Sequence, residues 1–117
     1  MASALVIKKG NPYTAIITVT DSDGGVYNLS DKIVFFTVKS VSDVGANDSN
    51  ALIKKDITSH TNPTGGVTTL ELTTLQTDIS VGYYKYDFRI YQASPLVQLN
   101  SVQGICQIQE IVTKRIS

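Results

Sequence analysis

The sequence predicts an all-β domain, an antiparallel β-sandwich of seven to eight short strands. Three observations carry that expectation. Thirty-seven of the 117 residues are Val, Ile or Thr, side chains that are stiff at χ1 and fit a pleated surface better than a helix. Apolar residues recur with period two, and no window shows a sustained i, i+3, i+4, i+7 stripe. Clusters of Gly, Pro, Asn and Asp break the apolar runs at intervals of roughly 8–14 residues, as in sandwiches.

Each element follows from its own residues. Leu5 to Lys9 is a first strand, closed by Gly10-Asn11-Pro12. Tyr13 to Thr20 alternates cleanly, with Tyr13, Ala15, Ile17 and Val19 on one face. Asp21-Ser22-Asp23-Gly24-Gly25 is a turn, in which aspartates bond back to the backbone and glycines supply positive φ. Val26 to Leu29 is expected as a short strand ended by Ser30-Asp31, and Lys32 to Val41 as a long one with Val34, Phe36 and Val38 inward. Ser42 to Asn50 is a polar loop. Ala51 to Thr58 reads as an edge strand, because Lys54, Lys55 and Asp56 discourage pairing with other chains. Ser59 to Gly66 is a loop, Val67 to Leu72 a strand with Leu70 and Leu72 inward, and Thr73 to Asp78 one helical turn. Tyr83 to Gln92 alternates most sharply: Tyr84, Tyr86, Phe88 and Ile90 share one face, and Tyr83, Lys85, Asp87, Arg89 and Tyr91 the other. Ala93-Ser94-Pro95 makes a hairpin into a last strand from Leu96 to about Val112, where Gly104 suggests a bulge or bend. Lys114-Arg115 falls in a short tail. Leu75, Asp78, Gly82 and Tyr84 are spaced like a tyrosine corner, in which a tyrosine at the start of the penultimate strand bonds back to upstream backbone.

One domain over residues 1–117 uses the whole length, with residues 1–9 either the first strand or an N-terminal arm that adds to a neighbour's sheet. Ten basic and ten acidic side chains give zero formal net charge, which argues against binding driven by a basic surface, to nucleic acid or to an anionic membrane. Met1 to Gly10 has neither the leading positive region nor the apolar length of a signal peptide, and no stretch of about 18 apolar residues is present to span a bilayer.

The catalytic inventory is thin: one histidine (His60), one cysteine (Cys106), two glutamates (Glu71, Glu110) and no tryptophan. Cys106 forbids an intramolecular disulfide and a cysteine-rich zinc site; it reads as a small buried apolar residue, with an intermolecular bridge left open. Asp21-x-Asp23-Gly24 resembles part of a calcium loop but lacks the further acids, since position 32 is Lys32, so a plain turn is expected. His60 reads as a solvated loop histidine, without ligand partners for a metal or a nucleophile elbow to serve. Gly65-Gly66 lacks the lysine and helix of a phosphate loop and reads as a turn. Asn28-Leu29-Ser30 and Asn47-Asp48-Ser49 match the glycosylation pattern, which carries little weight without a signal peptide. The expectation is therefore no enzyme, no cofactor and no metal. The candidate contact residues are Tyr83, Arg89 and Tyr91, on one outward stripe, because Tyr and Arg are enriched at interface hot spots; an ordinary solvated sheet face with cross-strand charge pairs is the plainer reading.

Several segments also carry a family resemblance. Ile7-Lys8-Lys9-Gly10-Asn11, Val19-Thr20-Asp21-Ser22-Asp23-Gly24 and Tyr27-Asn28-Leu29-Ser30 precede Ile33-Val34-Phe35-Phe36-Thr37-Val38-Lys39. Gly66-Val67, Leu70-Glu71-Leu72, Gly82-Tyr83-Tyr84-Lys85-Tyr86-Asp87, Gly104-Ile105-Cys106-Gln107-Ile108 and Ile111-Val112-Thr113 follow. In this order the chain resembles the immunoglobulin-like N-terminal domain of bacteriophage baseplate upper proteins and related small virion proteins, over nearly its whole length. The resemblance implies an immunoglobulin-like antiparallel β-sandwich and a non-enzymatic structural role in a phage particle made in the host cytoplasm. The implied partners are other virion proteins, capsid, tail or baseplate subunits, with the chain in many copies or as a homo-oligomer. Baseplate upper proteins continue into a C-terminal trimerising region, whereas this sequence stops at Ser117, which favours a stand-alone component such as a capsid decoration protein or a tail or neck accessory. The other reading is a carbohydrate- or receptor-binding module, whose exposed tyrosines would stack on sugar rings.

Overall fold

Strands form over all but one of the runs where the period-two pattern places them. The computed structural model describes residues 5–21, 23–43, 51–93 and 96–111. Seven strands lie among these: β1 (Leu5–Lys8), β2 (Tyr13–Thr18), β3 (Ile33–Lys39), β4 (Ile53–Ile57), β5 (Val67–Leu72), β6 (Gly82–Gln92) and β7 (Val97–Gln109). Short 3-10 turns occupy Val41–Asp43 and Pro63–Gly65, and one helical turn, α1, spans Thr74–Thr77. β1, β7, β6, β3 and β4 form a five-stranded sheet in that order, and β2 pairs with β5 in a second sheet.

The expectation of a wholly antiparallel sandwich needs one correction. β1 runs parallel to β7, with Leu5 opposite Cys106 and Ile7 opposite Ile108. The chain leaves β1 through Gly10 at φ +75° and crosses to the other sheet, so β1 cannot form a hairpin with β2. The crossing is tied down where the Gly10 N–H donates to the Thr77 carbonyl and the buried Thr77 hydroxyl donates to that of Asn11. Leu5–Lys8 is thus a strand of the chain's own sheet rather than an arm; Ala2 and its neighbours lie outside the described residues.

Two further expectations are revised. Val26 to Leu29 is not a strand. Its backbone bonds go to different segments, Tyr27 N–H to Val19 and Leu29 N–H to Pro63, with a single bridge between Val26 and Thr20. Leu29 nevertheless plugs the core completely. The irregularity in β7 does not fall at Gly104, which pairs in register with Tyr86; it falls where Phe88 pairs with Val102 but Arg89 with Asn100, leaving Ser101 as the extra residue of a bulge. Gly104 carries no side chain directly opposite the inward ring of Tyr86. The loop and hairpin expected at residues 44–50 and 94–95, and the residues beyond 111, with Asn47, Lys114 and Arg115, lie outside the described residues.

Alternation buries one face of each central strand. Val34, Phe36 and Val38 of β3, Tyr84, Tyr86, Phe88 and Ile90 of β6 and Cys106 and Ile108 of β7 meet Leu70 and Leu72 of β5, with Val19 and Leu29. At the centre, Phe36 lies 5.0 Å from Phe88 and 5.9 Å from Tyr86, and Tyr86 meets Phe88 edge-on at 6.0 Å. Antibody-type domains place an inter-sheet disulfide cysteine two residues after the corner tyrosine. Here that position is Tyr86, whose ring packs with those of Phe36 and Phe88 in place of a disulfide. Such ring pairs add about 0.5–1.5 kcal/mol each beyond their burial. The corner itself is present: the Tyr84 hydroxyl donates to the Ser80 carbonyl at 2.6 Å.

Candidate interaction face

The outward side chains of the five-stranded sheet are set by β6, whose partners lie on both sides. Register places Tyr83 beside Gln107, Lys85 between Ile105 and Lys39, Arg89 between Asn100 and Phe35, and Tyr91 between Gln98 and Ile33. Tyr83, Arg89 and Tyr91 therefore do share the outer face. They do not form one cluster. At about 3.3 Å per residue, Tyr83 sits roughly 20 Å from Arg89, whereas Arg89 and Tyr91 are neighbours along the strand.

Each end of the stripe gathers residues that the stripe alone did not single out. At one end Tyr91 packs its ring 5.9 Å from Phe35, with Arg89 directly opposite Phe35 and Asp56 on that residue's far side. At the other end Val6, Tyr83 and Ile105 surround Gln107 and are 46%, 67% and 44% exposed. Alternation along β3 puts Phe35 on this face, but its company with Tyr91 depends on strand pairing. Val6 and Ile105 belong to strands about a hundred residues apart, and no local signal joins them.

Elsewhere the chemistry-bearing residues are structural. His60 is not the solvated histidine expected: it is half-buried, with Nε2 2.6 Å from the Lys32 carbonyl and Nδ1 2.9 Å from the hydroxyl of the fully buried Thr68. The carbonyl can only accept, so Nε2 carries a proton and donates, and in the neutral ring Nδ1 then accepts from Thr68. Asp21 spends its carboxylate on the Asp23 and Gly25 N–H groups, both at 2.9 Å. Asn28 accepts from the Ser30 N–H at 2.8 Å. Gly66 turns at φ +74°, and a Cβ there would lie 2.6 Å from the Val19 carbonyl oxygen. Cys106 is buried, which removes it from an intermolecular bridge in the folded chain, and burial pushes its thiol up to about 11. Burial, with a lesser contribution from Cys106, also raises the phenols of Tyr13 and Tyr86. Among the described residues no three His, Cys, Asp or Glu side chains converge as metal ligands, and no helix is long and apolar enough to cross a membrane.

No family model matches the chain, and no curated protein does. Among solved structures it is similar to the NK cell receptor NKp44, described as a triggering partner in natural cytotoxicity. The TM-score is 0.50 at 20% identity, over 93% of this chain and 99% of that one. The fold is an immunoglobulin-like β-sandwich. At this identity the likeness concerns the fold and not the ligand.

Proposed function

We propose that the chain is a non-enzymatic docking module, a small structural component of a bacteriophage particle that binds neighbouring subunits through the outer face of its five-stranded sheet. The observation that carries docking is the composition of that face: a Phe35–Tyr91 ring pair flanked by Arg89 at one end, and exposed Val6, Tyr83 and Ile105 at the other. Rigid strands fix the backbone that carries these side chains, so only side-chain rotamer freedom is lost when a partner covers them. Aromatic and arginine anchors of this kind carry most of the energy at protein interfaces. The phage particle rests on the sequence resemblance. On a repeating lattice, many weak copies suffice.

The test is whether the protein co-purifies with virions at a stoichiometry matching a symmetry of the particle. Arg89→Ala and Tyr91→Ala, folded by circular dichroism, should lower occupancy about tenfold or more, as loss of hot-spot contacts does. Absence from purified particles, or full occupancy by both variants, would refute the reading. The exposed ring of Tyr83 is the observation that favours the carbohydrate alternative; saturable binding on a glycan array, lost in Tyr83→Ala or Tyr91→Ala, would replace docking by sugar recognition.

A further inference from the structure

We infer that two copies of this chain join through the edge of β2 that no other described strand pairs with, antiparallel about a two-fold axis at Ile16, to make one continuous four-stranded sheet in the order β5-β2-β2-β5. The inference concerns a different surface from the docking face and does not depend on it.

A sheet edge is a template for another strand unless it is blunted. Among the described residues the other edges are blunted. β4 carries Lys54, Lys55 and Asp56, and β1 is four residues long and runs into Lys8-Lys9. The far side of β5 is engaged at Val67, which exchanges both backbone bonds with Asn62, and carries the charge of Glu71 further along. β2, reading Tyr-Thr-Ala-Ile-Ile-Thr, has no charge, no proline and no bulge.

Ladder geometry says which groups of β2 are not bonded to β5. Val19 N–H donates to Gly66, continuing the register that pairs Thr18 with Val67. Bonded and non-bonded pairs alternate in an antiparallel ladder, so Tyr13, Ala15 and Ile17 bond to β5. The N–H and C=O groups of Thr14, Ile16 and Thr18 then point away from it. The exchange between Val67 and Asn62 agrees, because it turns the backbone groups of Val67 away from Thr18.

Those three residues read the same in both directions. With the axis at Ile16, Ile16 meets its own copy, and Thr14 meets Thr18 of the second copy twice. Each pair exchanges two backbone bonds, six in all, and every side chain stays on its proper face. On the outer face Ile16, 72% exposed, covers its mate. On the inner face Ala15 meets Ile17 and Tyr13 meets Val19. Tyr13, Ala15 and Ile17 are only half-buried although they point at the core, and a second β2 would complete their burial. Charge permits the union: Glu71, opposite Thr14 on β5, would stand about 20 Å from its copy, since three strand spacings and four residues separate them, well beyond the roughly 8 Å screening length of physiological salt.

The experiment is sedimentation velocity on the full chain from micromolar to millimolar concentration, with amide hydrogen exchange at both ends of the range. The expected result is a species at twice the 12.7 kDa chain mass that grows with concentration, and slowed exchange at Thr14, Ile16 and Thr18 that follows the dimer. Ile16→Lys places like charges directly opposite each other and should weaken dimerisation at least tenfold, whereas Tyr83→Lys on the other sheet should leave it unchanged. The exchange measurement needs no variant and stands if Ile16→Lys does not fold. A monomer at every concentration overturns the inference, as does a dimer lost in Tyr83→Lys but kept in Ile16→Lys. Protection of the three amides in a monomer would assign the edge to a segment of the chain itself and overturn it equally.

Discussion

Replacing His60 by alanine should destabilise the domain more than a loop histidine would, and the structure says how much. Two partners lose their bonds. The Lys32 carbonyl sits on a half-buried residue and can recruit water, so its loss costs about 1 kcal/mol. The Thr68 hydroxyl belongs to a side chain with no exposure at all. An orphaned buried hydroxyl costs about 1–3 kcal/mol, giving about 3 kcal/mol for His60→Ala. That is a large share of the 5–15 kcal/mol typical of a domain. Thr68→Val gives the decisive sign. In the native background it strips Nδ1 of its donor and should destabilise by about 1 kcal/mol. In the His60→Ala background it removes the orphaned hydroxyl and should restore about 1–2 kcal/mol. Equilibrium urea unfolding of the four proteins of this cycle, followed by circular dichroism, measures the coupling. A Thr68→Val effect of equal size and sign in both backgrounds would refute the reasoning.

Four further outcomes are expected. Tyr84→Phe should lower stability by about 1 kcal/mol in urea unfolding, because it deletes only the bond to Ser80 and keeps the buried ring. Phe36→Ala should cost about 3–5 kcal/mol in the same assay, since it opens a cavity between Tyr86 and Phe88. Gly66→Ala should cost more than the roughly 1 kcal/mol of a strained φ, because its Cβ would meet the Val19 and Tyr27 carbonyls at 2.6 and 2.7 Å. The raised thiol of Cys106 implies stability that is fully present below pH 9 and declines as pH rises toward 11, because the unfolded thiol ionises first. Unfolding midpoints measured across that range should fall less steeply in Cys106→Ala, and a thiol reagent at pH 8 should label Cys106 only once urea unfolds the chain.

Much of the inward face was legible in the sequence, because side-chain alternation is a property of each strand by itself. Val34, Phe36 and Val38, or Tyr84 through Ile90, need no partner to declare which way they point. The tyrosine corner and the Asp21 turn were legible for the same reason, as their bonds close within four residues. Val26 to Leu29 carries strand-like residues without a single partner strand, because the backbone there divides its bonds between two segments. His60 misled because its partners lie 28 and 8 residues away, and nothing in the loop composition points to either. Within the interaction face, the Tyr83-to-Tyr91 stripe was readable along one strand. Its division into two groups was not, since Phe35, Val6 and Ile105 arrive from other strands.

The sequence by itself determined the strand content, the apolar face of each central strand and the turn chemistry between them, all of which depend on residues close in the chain. Tertiary structure alone decided the parallel union of β1 with β7, the division into five strands and two, the three-ring centre around Tyr86 and the edge position of β2 among the described strands. Those features depend on which strand lies beside which. Period two does not encode that choice, because every strand with one apolar face satisfies it equally until the whole core is assembled.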